Sequence, residues 1–184
     1  MRYLIFKSLP IIASSLLLLG CNSTPETHAS NIGMDIPIWV TNPTVEKGIA
    51  ASSCVLASNS FSIDKSQAAS IARIELAKNL QTRVANMQEE YTKKVTSMGE
   101  AFDKSTFKQT SIELTDQHLQ GSRIDKVDYA QMGENRNLCV LVTISEKDSK
   151  NLFAQLLEQA PIKLAPDNET LLYLNFIQAE NNTK

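Results

Sequence analysis

The sequence predicts an α+β domain in which one long helix packs on a small, mainly antiparallel sheet, with additional C-terminal helices. Three observations predict it. Ala69, Ala72, Leu76, Leu80, Val84, Met87, Tyr91 and Val95 recur at steps of three and four, the spacing of a long helix with one buried stripe. Two strand-like runs, Ser122–Gln131 and Asn137–Ser145, flank the Gly/Asn-containing stretch Met132–Arg136, as in a β-hairpin. Apolar runs after Ser145 and Pro166 then return to helical spacing.

The chain opens with Arg2 and Lys7 and no acids, followed by an apolar run from Ser8 to Leu19. A membrane-spanning helix needs about 20 apolar residues, so this run is too short, and a basic start before it is the pattern of an export signal. The nearest match to an ordinary cleavage site, Thr27-His28-Ala29, lies well past the run. Leu18-Leu19-Gly20-Cys21 sits at its end and resembles the bacterial lipobox. That resemblance implies residues 1–20 as a lipoprotein signal peptide, a thioether-linked diacylglycerol on Cys21, and acylation of the new amino terminus. Asn22, rather than aspartate, follows the cysteine, which by the enterobacterial sorting rule implies the outer membrane. Cleavage removes two basic residues, leaving 16 against 20 acids, a formal charge of −4. Residues 21–35 are polar and rich in Ser, Thr, Asn and Pro, and read as a flexible tether.

Each later element follows from local pattern. Pro37 and Pro43 predict extended backbone around Trp39, the only tryptophan. Trp39 is a candidate contact residue, with packing on the domain edge as the competing reading. Lys47–Ser58 is small and apolar on both faces and reads as a buried strand. Asp64 and Gln67 fit a capping box opening the long helix, about 33 residues by its pattern. Lys65, Arg73, Lys78, Asn79, Arg83, Asn86 and Lys93 lie opposite the apolar stripe and read as a solvated face. Its far end is expected to project or to join an oligomer contact. Phe107–Leu119 reads as a second helix presenting Ile112, Leu114 and Leu119, with Gly121 as its C-cap, and a strand or a loop is the alternative. In the hairpin, the charged first strand suits an edge and the apolar second, Leu138–Ile144, suits the centre. Ser145 and Asp148 cap a helix with Leu152, Phe153, Leu156 and Leu157. Residues 161–184 form a final helix, with Leu171, Leu172, Leu174, Phe176 and Ile177, and a polar tail. The face of the sheet away from the long helix is left for the late helices or a second subunit.

The chemistry-bearing residues are few. Three cysteines and two histidines, His28 and His118, supply little for a metal or a Cys–His pair. With Cys21 lipidated, Cys54 and Cys139 remain, both in inner strands in an oxidising compartment, which predicts a disulfide between them. Two free cysteines packed as small hydrophobes are the alternative. No GxSxG, HExxH, P-loop or glycine-rich dinucleotide turn is present, so no enzyme and no cofactor are expected. Glu89-Glu90 and Glu113/Asp116 are pairs of a commonplace kind. A formal charge of −2 with no basic stripe disfavours nucleic acid as a partner.

Pro37 and Trp39 before the first strand, then Ala68, Ala72 and Arg73 in the alanine-rich helix, then the strand pair, occur in an order that resembles the Lpp-twenty family of bacterial lipoproteins. The resemblance covers residues 36–160. It implies an outer-membrane lipoprotein with one long helix on an antiparallel sheet and no catalytic residues. Some members resemble flagellar lipoproteins that assemble a ring at the outer membrane, and others are surface antigens. The expected role is structural, with the membrane as one partner through the anchor. Envelope or flagellar proteins, or further copies of the chain, are the others. A periplasmic module binding a small or peptidoglycan-like ligand is the alternative.

Overall fold

The computed structural model describes residues 34–178. Cys21, Asn22 and His28, the signal segment, most of the tether and the polar tail lie outside the described residues. The elements in order are β1 (Met34–Asp35), α1 (Ile38–Thr41), β2 (Ile49–Leu56), α2 (Phe61–Ser97), α3 (Lys104–Leu119), β3 (Arg123–Met132), β4 (Asn135–Ile144), α4 (Glu146–Glu158) and α5 (Pro166–Gln178). The four strands pair antiparallel in the order β1-β3-β4-β2. The α+β class holds, with α2 on one face of the sheet.

β4 is central because it is apolar on both faces, and Leu138 to Val142 are all fully buried. β3 follows the expectation for its charged sequence. β1 pairs only with Met132 and Gln131, so Arg123–Ala130 has no strand on its outer side among the described residues. The hairpin closes with a two-residue loop, Gly133–Glu134, between the paired Met132 and Asn135. Gly133 has φ +63°, the left-handed region that glycine enters freely. β2 departs from expectation: it is the outer strand beyond β4, buried at Ile49–Ala51 but with Leu56 exposed. Its small residues let α2 approach closely, rather than allowing two strand neighbours.

Strand alternation turns Ile49, Ala51, Val140, Val142 and Ile144 toward α2, where Ala68, Ala69, Ala72 and Leu76 meet them. Alanines at that contact bring helix and sheet together without side-chain bulk. α2 has 37 residues, four more than its apolar pattern suggests, and is roughly 55 Å long. Its second half leaves the sheet and carries Leu80, Val84, Met87, Tyr91 and Val95 into a helical layer built from α3, α4 and α5. The far end of α2 is thus covered within the same chain. Tyr91 meets Phe102 and Phe107 edge-on or tilted, with ring centroids 5.4 and 5.3 Å away. Phe153 of α4 meets Tyr173 and Phe176 of α5 in the same manner.

Several local readings are corrected. α2 begins at Phe61 after Ser60, not at an Asp64–Gln67 capping box. Asp64 is buried, and its carboxylate accepts from the Ser58 amide and the Ser58 hydroxyl, both at 2.7 Å. It therefore fastens the β2–α2 loop from inside the first turn. Around Trp39 the chain forms a one-turn helix, because Pro37 presets φ at −54° and Pro43 keeps Asn42 out of the helical region. α3 buries Phe107, Ser111 and Thr115 rather than Ile112, which is 42% exposed. The two hydroxyls return to the carbonyls of Phe107 and Ser111 at 2.7 Å, so they enter the core satisfied. The α3 cap position is Gln120, and the Gly121 amide donates to His118 O at 3.1 Å. On α5, Leu172 and Phe176 face inward while Leu171 and Leu174 are exposed. Ser145 caps α4 as expected, accepting from the Asp148 amide at 3.2 Å.

Candidate functional site

Cys54 and Cys139 stand opposite each other in the β2–β4 register and are joined by a disulfide, with Cα atoms 4.0 Å apart. Both point away from α2, in line with Ala50, Ser52, Leu56 and Leu141. The same face receives α1. The Ser52 hydroxyl donates to Val40 O at 2.7 Å, which ties the Trp39 turn to the sheet. The cover expected from late helices or a second subunit is thus supplied in part by the chain's own N-terminal turn. Trp39 is half-buried there.

A groove of about 380 Å³ lies elsewhere, between α2 and α5. Leu164, Leu171 and Leu172 form its apolar wall, and Glu90, Lys93 and Lys94 its charged rim. A smaller hollow of about 240 Å³ continues it toward Arg83 and Asn86. Polar ties fix both walls. The Arg83 guanidinium donates to Phe176 O at 2.8 Å and Ile177 O at 2.6 Å, at the α5 C-terminus. Asn175 donates to the Glu90 carboxylate at 2.9 Å, and the Lys94 ammonium donates to Asn168 at 3.0 Å. Arg83 is 3% exposed and is therefore not part of the solvated face that its place in the pattern implied. Its guanidinium meets the partial negative charge of a helix C-terminus, which favours a buried cation. The one signal in the sequence was an arginine near the edge of the apolar stripe, and nothing there named a partner 93 residues away.

Electrostatically the groove is ordinary. Lys93, hydrogen-bonded to Glu89 at 2.6 Å, holds that carboxyl below its usual range. Burial raises the Tyr91 hydroxyl, partly opposed by its hydrogen bond with Ile162. That hydroxyl donates to Ile162 O at 2.8 Å and accepts from the Ile162 amide at 2.9 Å. Among the described residues no three His, Cys, Asp or Glu side chains converge as metal ligands do. The groove offers apolar contact inside a charged rim. No described helix is long and apolar enough to cross a membrane. What the fold and these features define is an α+β domain stapled across one sheet and tied by polar bridges through its helical layer. Comparison with protein-family models and with curated proteins found no match to the chain.

Proposed function

We propose that the chain is a bacterial outer-membrane lipoprotein, anchored through Cys21 and serving a structural or assembly role in the envelope. The observation that carries this is Leu18-Leu19-Gly20-Cys21 at the end of a short apolar run with a basic start. Two or three acyl chains, at about 0.8 kcal/mol per buried methylene, hold a protein firmly to a bilayer. The Cys54–Cys139 disulfide supports an oxidising compartment. Asn22 supports the outer membrane. The order of Pro37, Trp39, Ala68, Ala72 and Arg73 supports an Lpp-twenty-like domain, whose sharper form is a flagellar or envelope ring component.

Changing Cys21 to Ser tests the anchor. Metabolic labelling with a clickable fatty acid is expected to be lost, and the protein to leave the membrane fraction. A variant that still sediments with membranes refutes it. Deleting the gene and scoring swimming tests the flagellar form, which normal motility would sink. The second reading, a periplasmic ligand-binding module, is favoured by the Leu164–Leu172 groove. Saturable binding of peptidoglycan fragments, weakened by Leu171→Asp, would support it over the first.

A further inference from the structure

We propose that the hairpin end of the domain lies against the lipid surface, so that the sheet stands on the membrane rather than hanging free on the tether. The proposal rests on the Cys21 anchor and adds an orientation to it. The direction of β1 is the first observation. Asp35 pairs with Gln131 and Met34 with Met132, so the chain, followed back toward Cys21, leaves the sheet past the Gly133–Glu134 turn. Only twelve residues separate Cys21 from Met34. Even fully extended they reach about 45 Å. A bilayer that holds Cys21 therefore meets this end at high effective concentration, where contacts too weak for a free protein become significant.

The second observation is what this end displays. The Ala57 amide donates to Arg136 O at 2.9 Å, so the close of β2 and the start of α2 sit beside the hairpin turn. Leu56 is 64% exposed, Phe61 50% and Ile63 65%, three large apolar side chains within eight residues. Cations stand over aromatic rings beside them. Lys65 Nζ is 5.8 Å from the Phe61 centroid, and Arg136 Cζ is 3.7 Å from that of Tyr129. Aliphatic groups with aromatic rings and Lys or Arg at the polar margin are what a headgroup boundary accommodates. Glu134, at the turn tip, and the exposed Asp35, paired with Gln131, are the opposing charges at this end, and Asp64 is turned inward onto Ser58. Leu171 and Leu174 are exposed to a similar degree, but on α5, away from the chain's exit.

Depth-dependent quenching tests this on the full lipidated protein. It is reconstituted into phosphatidylethanolamine/phosphatidylglycerol vesicles, with or without bromine on the upper acyl carbons. Phe61→Trp and Leu56→Trp report on the hairpin end and Leu174→Trp on α5, each read as the difference from the parent chain with Trp39 in place. Loss of emission from the first two reporters in brominated vesicles, with the third unaffected, is the expected result. Equal quenching of all three overturns the orientation. A chain that floats with the vesicles while neither hairpin-end reporter is quenched keeps the anchor and refutes the docking. In that case, a blue shift growing with protein density assigns the patch to a second copy instead. A chain that does not float at all refutes the anchor and the docking together.

Discussion

Opening the Cys54–Cys139 bond is expected to cost the domain about 4–5 kcal/mol, on the loop-closure entropy of its 85-residue span. The bond adds little to the native sheet itself, since β2 is already registered against β4 over eight residues and packed under α2. Its effect falls on the unfolded chain, which loses conformations when two distant points are joined. A domain typically has 5–15 kcal/mol in total, so roughly a quarter or more of the margin depends on one bond. Three species separate the contributions: oxidised protein, reduced protein, and the Cys54→Ala/Cys139→Ala variant. Reduction keeps both sulfurs, so oxidised against reduced measures the cross-link. The alanine pair adds the loss of the fully buried Cys139 sulfur, about 1 kcal/mol more. Urea unfolding followed by circular dichroism provides the free energies. The oxidised chain is expected to show a smaller m, because a cross-linked unfolded state exposes less surface. Free energies rather than midpoints are therefore compared. A reduction cost below about 1 kcal/mol with an unchanged m would refute the entropic account. Two alkylatable thiols in native protein would remove its premise.

Gly48→Ala is expected to destabilise the domain by roughly 1–3 kcal/mol, a fall of several degrees in Tm. A Cβ there runs into the Ile144 carbonyl, which is backbone and cannot turn aside, and stands 2.8 Å from Val45 Cγ1. An unchanged melting curve would show that the β2 entry is looser than it looks. Arg83→Leu is expected to cost about 2–4 kcal/mol and to speed amide exchange along α5 first, since two carbonyls at its C-terminus lose their donor. Exchange rising equally in β2 would argue for global loss instead. Burial raises the hydroxyls of both Tyr91 and Tyr173 above the usual tyrosine value. A raised folded-state pKa means stability fully present below about pH 10 and lost as pH rises through the folded values. Unfolding free energy should therefore fall on the alkaline side, less steeply in Tyr91→Phe, and an alkaline limb identical in parent and variant would contradict this.

How much of this was legible in the sequence depends on how local each cause is. The Ser145 cap, the Gly133 turn and the central place of β4 were readable, because each is set within a few residues or by an uninterrupted apolar run. The Cys54–Cys139 bond was readable because the lipobox resemblance sets Cys21 apart and the other two cysteines lie in strands. The turn at Trp39 is not legible from its two prolines, because Pro37 starts a helical turn as readily as it extends the chain. The outer place of β2 is not legible either, because alanine and serine look the same whether they admit a second strand or an approaching helix. Arg83 and Asp64 were beyond reach for a different reason. Each is a charged residue made tolerable indoors by partners that only the folded chain supplies, one of them carbonyls at the far end of α5.

The two edges of the sheet that no described strand covers bear on any assembly role. An unpaired strand edge invites strand addition, and proteins that avoid it place charges there. β3 does so along its open stretch, with Arg123, Asp125, Lys126 and Asp128, and an irregular register between Ile124 and Lys126 breaks the template further. β2 has no charged residue. Ile49–Ala51 is buried, Ser52 is held by Val40, and Cys54 is bonded across to β4. The main-chain groups of β2 on the side away from β4 pair with no described strand, so β2 is the edge open to strand addition. An assembly built from this domain has that edge and its side-chain surfaces to draw on. If the hairpin end is taken up by lipid, the surface left at the far side is the helical layer, where Leu171 and Leu174 stand exposed beside the charged rim of the α2–α5 groove.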